Sequence, residues 1–428
     1  MIVRLTRGLA APILALTLAA TAAPLAGCGS STSGSDPVAT ATPETTPTPL
    51  PALGAGQLDP TFGDAGIALT TFAEGEAILD IALQPDGRIV AAGTIGGDLA
   101  VARYDAAGQL DPTFGGGIVR VDFGGTAASA NAIVLQPDGR IVFGGSADDA
   151  ALLGRMTATG ELDPTFGEGG VVTDAIPGFF TVDDVALQSD GGVVATGRSG
   201  VHGALARYQT DGTPDPRFGT SGVVVYGTEP NICWFNSVVV QPDDALVAGG
   251  TCISDAPVEA LLARYAKNAD DAPQLLLSMS EALGGGPVTD LALGPEGALV
   301  VAATSRDQKL IRVDASGTAS AFGDAGDTPI GRGFEIAAIA LDSAGRVVAA
   351  GSFSPPGKVP QRVLVVARFG TDGLLDTSFG VDGFAWGGGA DVSEATGLVI
   401  QPDGKIVVAA AASPSGFALL RFGGDPTP

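Results

Sequence analysis

The chain has few of the residues that most enzyme and nucleic-acid-binding motifs require. Its 428 residues include one histidine, His202, three cysteines, and only 22 Lys and Arg against 47 Asp and Glu, for a formal net charge of -25. A surface this acidic repels phosphate backbones, so we expect no nucleic-acid partner. A single histidine excludes HExxH and multi-histidine metal sites, and a Ser-His-Asp triad would have to use His202. GxSxG and GxxxxGK[ST] motifs are also absent.

The N-terminal segment has the pattern of an export signal. Arg4 and Arg7 precede a short apolar run, and the segment ends in LAGC at 25–28. LAGC resembles a bacterial lipobox, which implies cleavage before Cys28 and attachment of diacylglycerol to its thiol. We therefore predict a lipoprotein signal peptide over 1–27. The alternatives are an ordinary secretory signal and an uncleaved membrane anchor, for which the apolar run is short.

Residues 28–55 are rich in Ser, Thr and Pro and cannot bury a core, so we interpret them as a flexible tether. The expected location is the cell envelope, with the membrane contacted only through the lipid. Gly29 follows the cysteine in place of the aspartate that retains many lipoproteins at the inner membrane. This favours the outer membrane or the cell surface.

The rest of the chain, residues 56–428, is built from repeats. The stretch LQPDGRIVAAG at 83–93 recurs in seven versions spaced 52, 52, 53, 53, 48 and 59 residues apart. Their first residues are Leu83, Leu135, Leu187, Val240, Leu293, Leu341 and Ile400.

Each copy predicts four strands. An apolar strand, a QPDG-type turn and a second apolar strand are followed by a third strand such as LAVARY, and then by LDPTFG and a fourth. Seven such units predict an all-β fold, a seven-bladed β-propeller of four-stranded blades. The first LDPTFG precedes any hairpin and the last copy stops after three strands. We therefore expect the N-terminal strand to complete the last blade and close the ring.

The motifs LQPDGRIVAAG and LAVARYDAAGQLDPTFG, recurring in order, resemble the delta-60 repeat family over about residues 56–423. The resemblance implies a β-propeller and carries no established activity or catalytic residues. The fifth and sixth copies depart most from the pattern, and we assign DDAPQLLLSM to the weak fifth copy.

Residues that recur in every copy are expected to be structural. An arginine recurs on the third strand, and we predict that it pairs with the LDPTFG aspartate to fix the loop that follows. The phenylalanine of the same motif is expected to pack between blades. The arginines are Arg103, Arg155, Arg207, Arg264, Arg312, Arg368 and Arg421, and the aspartates are Asp59, Asp111, Asp163, Asp215 and Asp376.

Three carboxylates break the repeat on the innermost strands. Asp80, Asp184 and Asp290 each stand three residues before the first residue of their copy, where other copies have Ala, Ser or Gly. Around a central channel they could bind Ca²⁺ or act as acid and base. The alternative, which we favour, is that these strands simply begin at a solvated channel mouth.

Aromatic residues cluster before the innermost strands of the third and fourth blades. Phe179, Phe180, Trp234 and Phe235 fall there, although only 6% of the chain is aromatic. We expect them on the face that also carries the most variable connections. They could form a patch for a carbohydrate or protein ligand, or a local core that plugs the channel.

Cys233 and Cys252 form an even pair once Cys28 is lipidated, in an oxidising compartment. Pairing Gln241 with Ala245 across the QPDD turn brings the two cysteines to within one residue of directly opposite. We therefore predict a disulfide between them, with two buried thiols as the alternative.

These observations favour a monomeric binding or scaffold module of the envelope, without cofactor or metal, whose unidentified protein or carbohydrate ligand meets the variable face. A lyase or glycoside hydrolase using the channel carboxylates, and a purely structural envelope protein, are the alternatives. No residue is assigned a catalytic role.

Cys28→Ala should release the chain from membranes, because the substitution removes the thiol that would carry the lipid. Fractionation and mass spectrometry of the mature N-terminus measure this. Membrane retention of the variant, together with an unmodified wild-type N-terminus, would contradict the lipoprotein prediction.

Overall fold

The computed structural model describes residues 2–4, 53–72, 75–125, 127–148, 150–173, 179–199, 202–227, 232–253, 258–268, 274–278, 286–304, 308–315, 317–320, 322–323, 333–354, 362–388, 392–412 and 416–425. Cys28, and nearly all of the predicted signal peptide and tether, lie outside these ranges. Within them, no helical segment has the length and hydropathy needed to cross a bilayer.

Seven antiparallel sheets form the seven blades of a propeller, as predicted. The innermost strand of each blade contacts those of both neighbours, and the seventh contacts the first. The innermost strands are β3 (Glu76–Leu83), β7 (Ala128–Leu135), β11 (Phe179–Leu187), β15 (Ile232–Val240), β19 (Val288–Leu293), β23 (Phe334–Leu341) and β27 (Val392–Ile400).

The second and third strands are almost entirely buried, which explains their continuous apolar sequences. The second strands are β4 (Ile89–Ile95), β8 (Ile141–Ala147), β12 (Val193–Ser199), β16 (Leu246–Ile253), β20 (Leu299–Ala303), β24 (Val347–Phe353) and β28 (Ile406–Ala412). The third are β5 (Asp98–Tyr104), β9 (Ala150–Met156), β13 (His202–Tyr208), β17 (Glu259–Tyr265), β21 (Lys309–Val313), β25 (Val363–Phe369) and β29 (Phe417–Phe422).

The outermost strands are short. They are β6 (Ile118–Asp122), β10 (Val171–Thr173), β14 (Val223–Tyr226), β18 (Gln274–Ser278), β22 (Ala319–Ser320), β26 (Phe384–Gly387) and β2 (Ile67–Thr70). The run DDAPQLLLSM therefore contributes β18 to the fourth blade and not, as predicted, to the fifth. The fifth blade still has short strands, and a 3₁₀ turn at Pro295–Gly297 replaces its QPDG turn. A further strand, β1 (Ile2–Arg4), pairs in parallel with β6.

The N-terminal strand closes the ring, as predicted. β2 pairs with β29 from Ile67 opposite Leu420 to Thr70 opposite Phe417. The last blade is therefore assembled from both ends of the described domain, and its outer edge is covered by a strand more than 300 residues away in sequence.

The recurrent arginines and aspartates pair as predicted. Arg103 Nε donates to Asp111 Oδ2 at 2.8 Å, and Arg155, Arg368 and Arg421 contact Asp163, Asp376 and Asp59 at the same distance. In the fourth blade, which has no LDPTFG loop, Arg264 donates instead to Gln241 Oε1 at 2.6 Å.

Five of the seven arginines also donate to a carbonyl of the following blade, which sequence analysis did not predict. Arg103 Nη1 donates to the carbonyl of Ala158 in the second blade at 2.6 Å. Arg155, Arg207 and Arg312 reach Thr210, Lys267 and Thr371 in the same way. Arg421 reaches Ala106 of the first blade and so spans the closure.

The motif phenylalanines are buried beside these arginines and pack between blades, as predicted. Phe114 belongs to an apolar cluster formed by the first and second blades. The guanidinium carbon of Arg103 lies 4.8 Å from its ring centroid. Phe62 holds the same position at the closure, 4.6 Å from Arg421.

A chain that begins at residue 76 should aggregate or lose cooperative unfolding, because removing β2 and Asp59 exposes the edge of β29 and leaves Arg421 without its carboxylate. A chain that begins at residue 53 is the matched control and should unfold in a single transition. Calorimetry measures both. Equal melting temperatures would contradict closure by β2.

Candidate functional site

Every blade carries a β-bulge at the same place on its innermost strand. In the first blade the pairing with the second strand shifts between Ile78 and Asp80, so Leu79 is the extra residue. The equivalent extra residues are Asn131, Asp183, Asn236, Thr289, Ala337 and Thr396. A bulge re-aims the side chains around it, and here the extra residue and its successor both line the central channel.

The repeated glycine of the second strand makes room for this geometry. A Cβ on Gly93 would lie 2.0 Å from the carbonyl oxygen of Ala77, and one on Gly250 would lie equally close to that of Trp234. The GG and AG pairs of the repeats therefore accompany the bulge.

The channel encloses a cavity of about 160 Å³ lined by residues from all seven blades. Asp80, Asp184 and Asp290 line it, as do Asn131, Asp183 and Asn236. The three carboxylates picked out by the sequence are thus brought together.

Each of these three carboxylates links its own blade to the following one. Asp80 accepts the N–H of Ile81 at 2.7 Å and that of Ile133, in the second blade, at 2.9 Å. Asp184 accepts from Val185 and from Val238 of the fourth blade, both at 2.7 Å. Asp290 accepts from Leu291 at 2.7 Å and from Ile339 of the sixth blade at 2.8 Å. Both oxygens of every carboxylate are therefore used.

Asparagines make the alternate junctions. Asn131 Nδ2 donates to the carbonyl of Val182 in the third blade at 3.0 Å, and Asn236 Nδ2 to that of Val288 in the fifth at 2.7 Å. Aspartate clamps on odd blades thus alternate with asparagine clamps on even ones.

Seven is odd, so this alternation cannot run around the whole ring. The positions equivalent to Asp80 hold Ala338 in the sixth blade and Gly397 in the seventh. A Cβ on Gly397 would lie 3.2 Å from the Ile81 nitrogen and 3.3 Å from Ile81 Cγ1, closer than ordinary contact, so the glycine eases the approach of the first blade.

Burial dominates the electrostatics of the channel. Burial raises the pKa of Asp80 to about 8, although the hydrogen bond from the Ile133 N–H acts to lower it. The negative charge of Asp184 adds to the rise. Burial also raises the pKa of Asp184 to about 7 and that of Asp290 to about 6, in each case against the N–H groups that it accepts. In the described ranges, no group of three or more His, Cys, Asp or Glu is arranged to hold a metal ion.

The predicted aromatic cluster is divided by the structure. Phe180 is 53% exposed at the start of β11, and Trp234 is half-buried near the start of β15. Phe179 begins β11. Phe235 is fully buried, so its assignment to a ligand patch was wrong. It packs against Tyr226 and Tyr265 in the core between the third and fourth blades and does not plug the channel.

Two charged residues beside Trp234 were missed. The guanidinium carbon of Arg198 lies 6.0 Å from the centroid of the Trp234 ring, and its Nε lies 3.7 Å from Asp183 Oδ2. A signal was present in the sequence, because four other second strands have Thr94, Ser146, Thr251 or Ser352 at the position of Arg198.

Cys233 and Cys252 are joined by a disulfide, with 4.1 Å between their Cα atoms. They are direct partners in the β15–β16 ladder. Counting from the QPDD turn without a bulge leaves the two cysteines one residue out of register. The bulge between Phe235 and Ser237 supplies that one-residue shift. The bridge fixes the strand ends on either side of Trp234.

Stability should fall as the pH rises from about 4 to about 8, because the three channel carboxyls bind protons more tightly in the folded chain than in the unfolded one. Their contribution is complete below the ordinary carboxyl pKa of 3.8 and is lost as the pH passes about 6, 7 and 8. At about 1.4 kcal/mol per pKa unit, the total loss should reach several kcal/mol.

The loop aspartates act in the opposite direction and only in acid. The hydrogen bond from the Thr113 hydroxyl, together with the Thr113 N–H and Arg103, holds the pKa of Asp111 below its usual range, although burial acts in the opposite direction.

The prediction for the channel carboxyls is tested by the melting temperatures of the wild type, of Asp80→Asn and of the exposed-turn control Asp86→Asn. Only Asp80→Asn should show a shallower decline with pH. Rising stability over this pH range would contradict the assignment.

Five segments of the chain match a family described as "Domain of unknown function (DUF5122) beta-propeller". They are residues 84–114, 136–166, 188–218, 345–379 and 401–425, which fall in the first, second, third, sixth and seventh blades. The sixth copy, predicted to be among the two most divergent, is therefore one of those that match. No curated protein matches the chain.

Several solved structures share the fold. Virginiamycin B lyase from Staphylococcus aureus is 14% identical with a TM-score of 0.54, over 82% of this chain and 97% of that one. A catalytically inactive variant of the same lyase, with quinupristin, is 14% identical with a TM-score of 0.55, and the match covers 83% of this chain and 98% of that one. YCF48 bound to D1 peptide is 13% identical with a TM-score of 0.50, and the match covers 88% of this chain and 99% of that one. Identities this low show the fold alone: the chain is a seven-bladed β-propeller, and five of its blades carry repeats that match this propeller family.

Proposed function

We propose that the chain is a binding module anchored in the bacterial cell envelope through lipid on Cys28. The variable face, where the innermost strands begin and the second strands end, presents the binding surface around Trp234. The remaining blades act as a rigid frame. The observation that carries this proposal is the use of the channel carboxylates as clamps between blades.

A carboxylate that holds two backbone N–H groups is poorly placed to attack or protonate a substrate. Glycoside hydrolysis requires two carboxyl groups facing the scissile bond with their oxygens available. In Asp80, Asp184 and Asp290, both carboxylate oxygens instead accept backbone N–H groups. Each side chain thereby links two innermost strands. Turning one toward a substrate would break the junction that it makes.

The surface around Trp234 has the opposite character. Phe180 and Trp234 present apolar surface, and Arg198 and Asp183 supply charge beside them. These residues depart from the repeat, and a single ligand on a sevenfold ring has to be recognised by residues that break the symmetry. Aromatic and arginine side chains dominate the affinity of many protein interfaces. A propeller neighbour bound to a peptide supports a protein ligand.

One observation favours the enzyme alternative. The channel carboxyls have pKa values of about 6 to about 8, the range in which acid–base catalysts operate. If the chain is an enzyme, it should turn over an envelope carbohydrate and Asp80→Asn should abolish that turnover. If it is a binding module, the wild-type chain should show no turnover.

The two tryptophans of the chain provide the test. Trp234 lies on the variable face, whereas Trp386 is exposed on the outermost strand β26, next to Phe353 and Phe384. The immobilised full chain should capture an envelope component that Trp386→Ala also captures and that Trp234→Ala loses. Carbohydrate turnover that depends on Asp80 would favour the enzyme instead. Equal capture by all three chains would contradict this binding surface, and no capture by any would favour a purely structural protein.

A further inference from the structure

Carboxylates occur on innermost strands on both sides of the ring. Asp183 of the third blade lines the channel, and Glu335 and Glu394 lie near the starts of β23 and β27, where Arg362 bridges them at 3.2 and 2.9 Å. Asp80, Asp184 and Asp290 also line the channel, and the whole chain has a formal charge of -25. A cleft lined by charge of one sign focuses the field and concentrates ions of the other sign.

Asp183 is a channel-lining carboxylate with an oxygen that is not used in a hydrogen bond. It is the bulge residue of β11, and its side chain is only 19% exposed and lines the channel cavity. Its Oδ2 is buried and accepts no hydrogen bond from the residues that the structure describes. Arg198 is its nearest cation, at 3.7 Å, beyond hydrogen-bond distance. A buried carboxylate oxygen without a donor is costly, and a cationic donor satisfies it best.

Arg198 marks where such a donor would sit. Its Nε lies 3.7 Å from Asp183 Oδ2 and its guanidinium carbon 6.0 Å from the centroid of the Trp234 ring, and the side chain is 51% exposed. An aromatic face beside a carboxylate attracts ammonium and guanidinium groups. Phe180, exposed at the start of the same strand as Asp183, adds a second aromatic surface.

Resting on the proposed function, we infer that the channel mouth binds a cationic side chain of a partner protein, a lysine ammonium or an arginine guanidinium. The cation is held between Asp183 and Trp234 and displaces Arg198. Arg198 therefore competes with the ligand for Asp183. The same chemistry would admit a free polyamine, which the test separates from a peptide.

Calorimetric titration of the full chain with a capped Gly-Lys-Gly peptide tests this inference, with the norleucine peptide and spermidine as comparisons. The lysine peptide should bind and the norleucine peptide should not, with affinity falling as salt is added. Asp183→Asn should weaken binding about tenfold through loss of the charge-assisted contact. The exposed-turn control Asp86→Asn should bind like the wild type, and Trp234→Leu should weaken binding without removing a charge.

Arg198→Ala gives the most specific outcome. Removing the internal competitor should tighten binding of the lysine peptide several-fold, whereas weaker binding would overturn the inference. Equal binding of the lysine and norleucine peptides would also overturn it, as would spermidine binding alone. If envelope capture depends on Trp234 but the lysine peptide does not bind, the proposed function stands and only this inference fails.

Discussion

Side chains at two radii of the ring join most blades to the next. Near the third strand, a buried arginine binds the aspartate of its own loop and a carbonyl of the following blade. On the innermost strand, a bulge directs an aspartate or an asparagine to the backbone of the following blade. Neither contact exists within an isolated blade, so the repeats depend on the ring being closed. Arg421 carries the outer contact across the closure to Asp59 and Ala106.

An odd ring cannot alternate two kinds of clamp throughout, and among the described residues the clamps are missing from the sixth and seventh blades. Gly397 stands in the seventh, between the blade of Ala338 and that of Asp80. The surface around Trp234 is a second departure from symmetry, but it lies at the third and fourth blades, where the clamps are complete. The departures from the repeat at the closure are thus separate from those at the proposed binding surface. A rigid frame with this separation could carry a varied surface without loss of the fold.

Blade number, strand order, closure and the arginine–aspartate pairs could be predicted because each depends on spacing and on residues repeated many times. The bulge could not, because one extra residue in a strand leaves no mark on an apolar run. The sequence therefore placed Asp80 at the channel without revealing that both of its oxygens are used. The error over Phe235 was avoidable, since consecutive residues of a strand point to opposite sides and Trp234 and Phe235 cannot both face a ligand. Arg198 departs from the repeat in the sequence, but its place beside Asp183 and Trp234 became visible only from the bulge and the strand ends.

The central claim is that Asp80, Asp184 and Asp290 hold the ring together and are not free for chemistry. Amide hydrogen exchange measured residue by residue by NMR tests it most directly. The backbone amides of Ile133, Val238 and Ile339 donate to the three aspartates. Leu398 is the equivalent residue of the seventh blade, and the preceding blade has Ala338 in place of the aspartate. The account predicts strong protection of the first three amides and exchange at Leu398 that is about a hundredfold faster or more. Equal exchange at all four would contradict the account and leave the carboxylates available for catalysis.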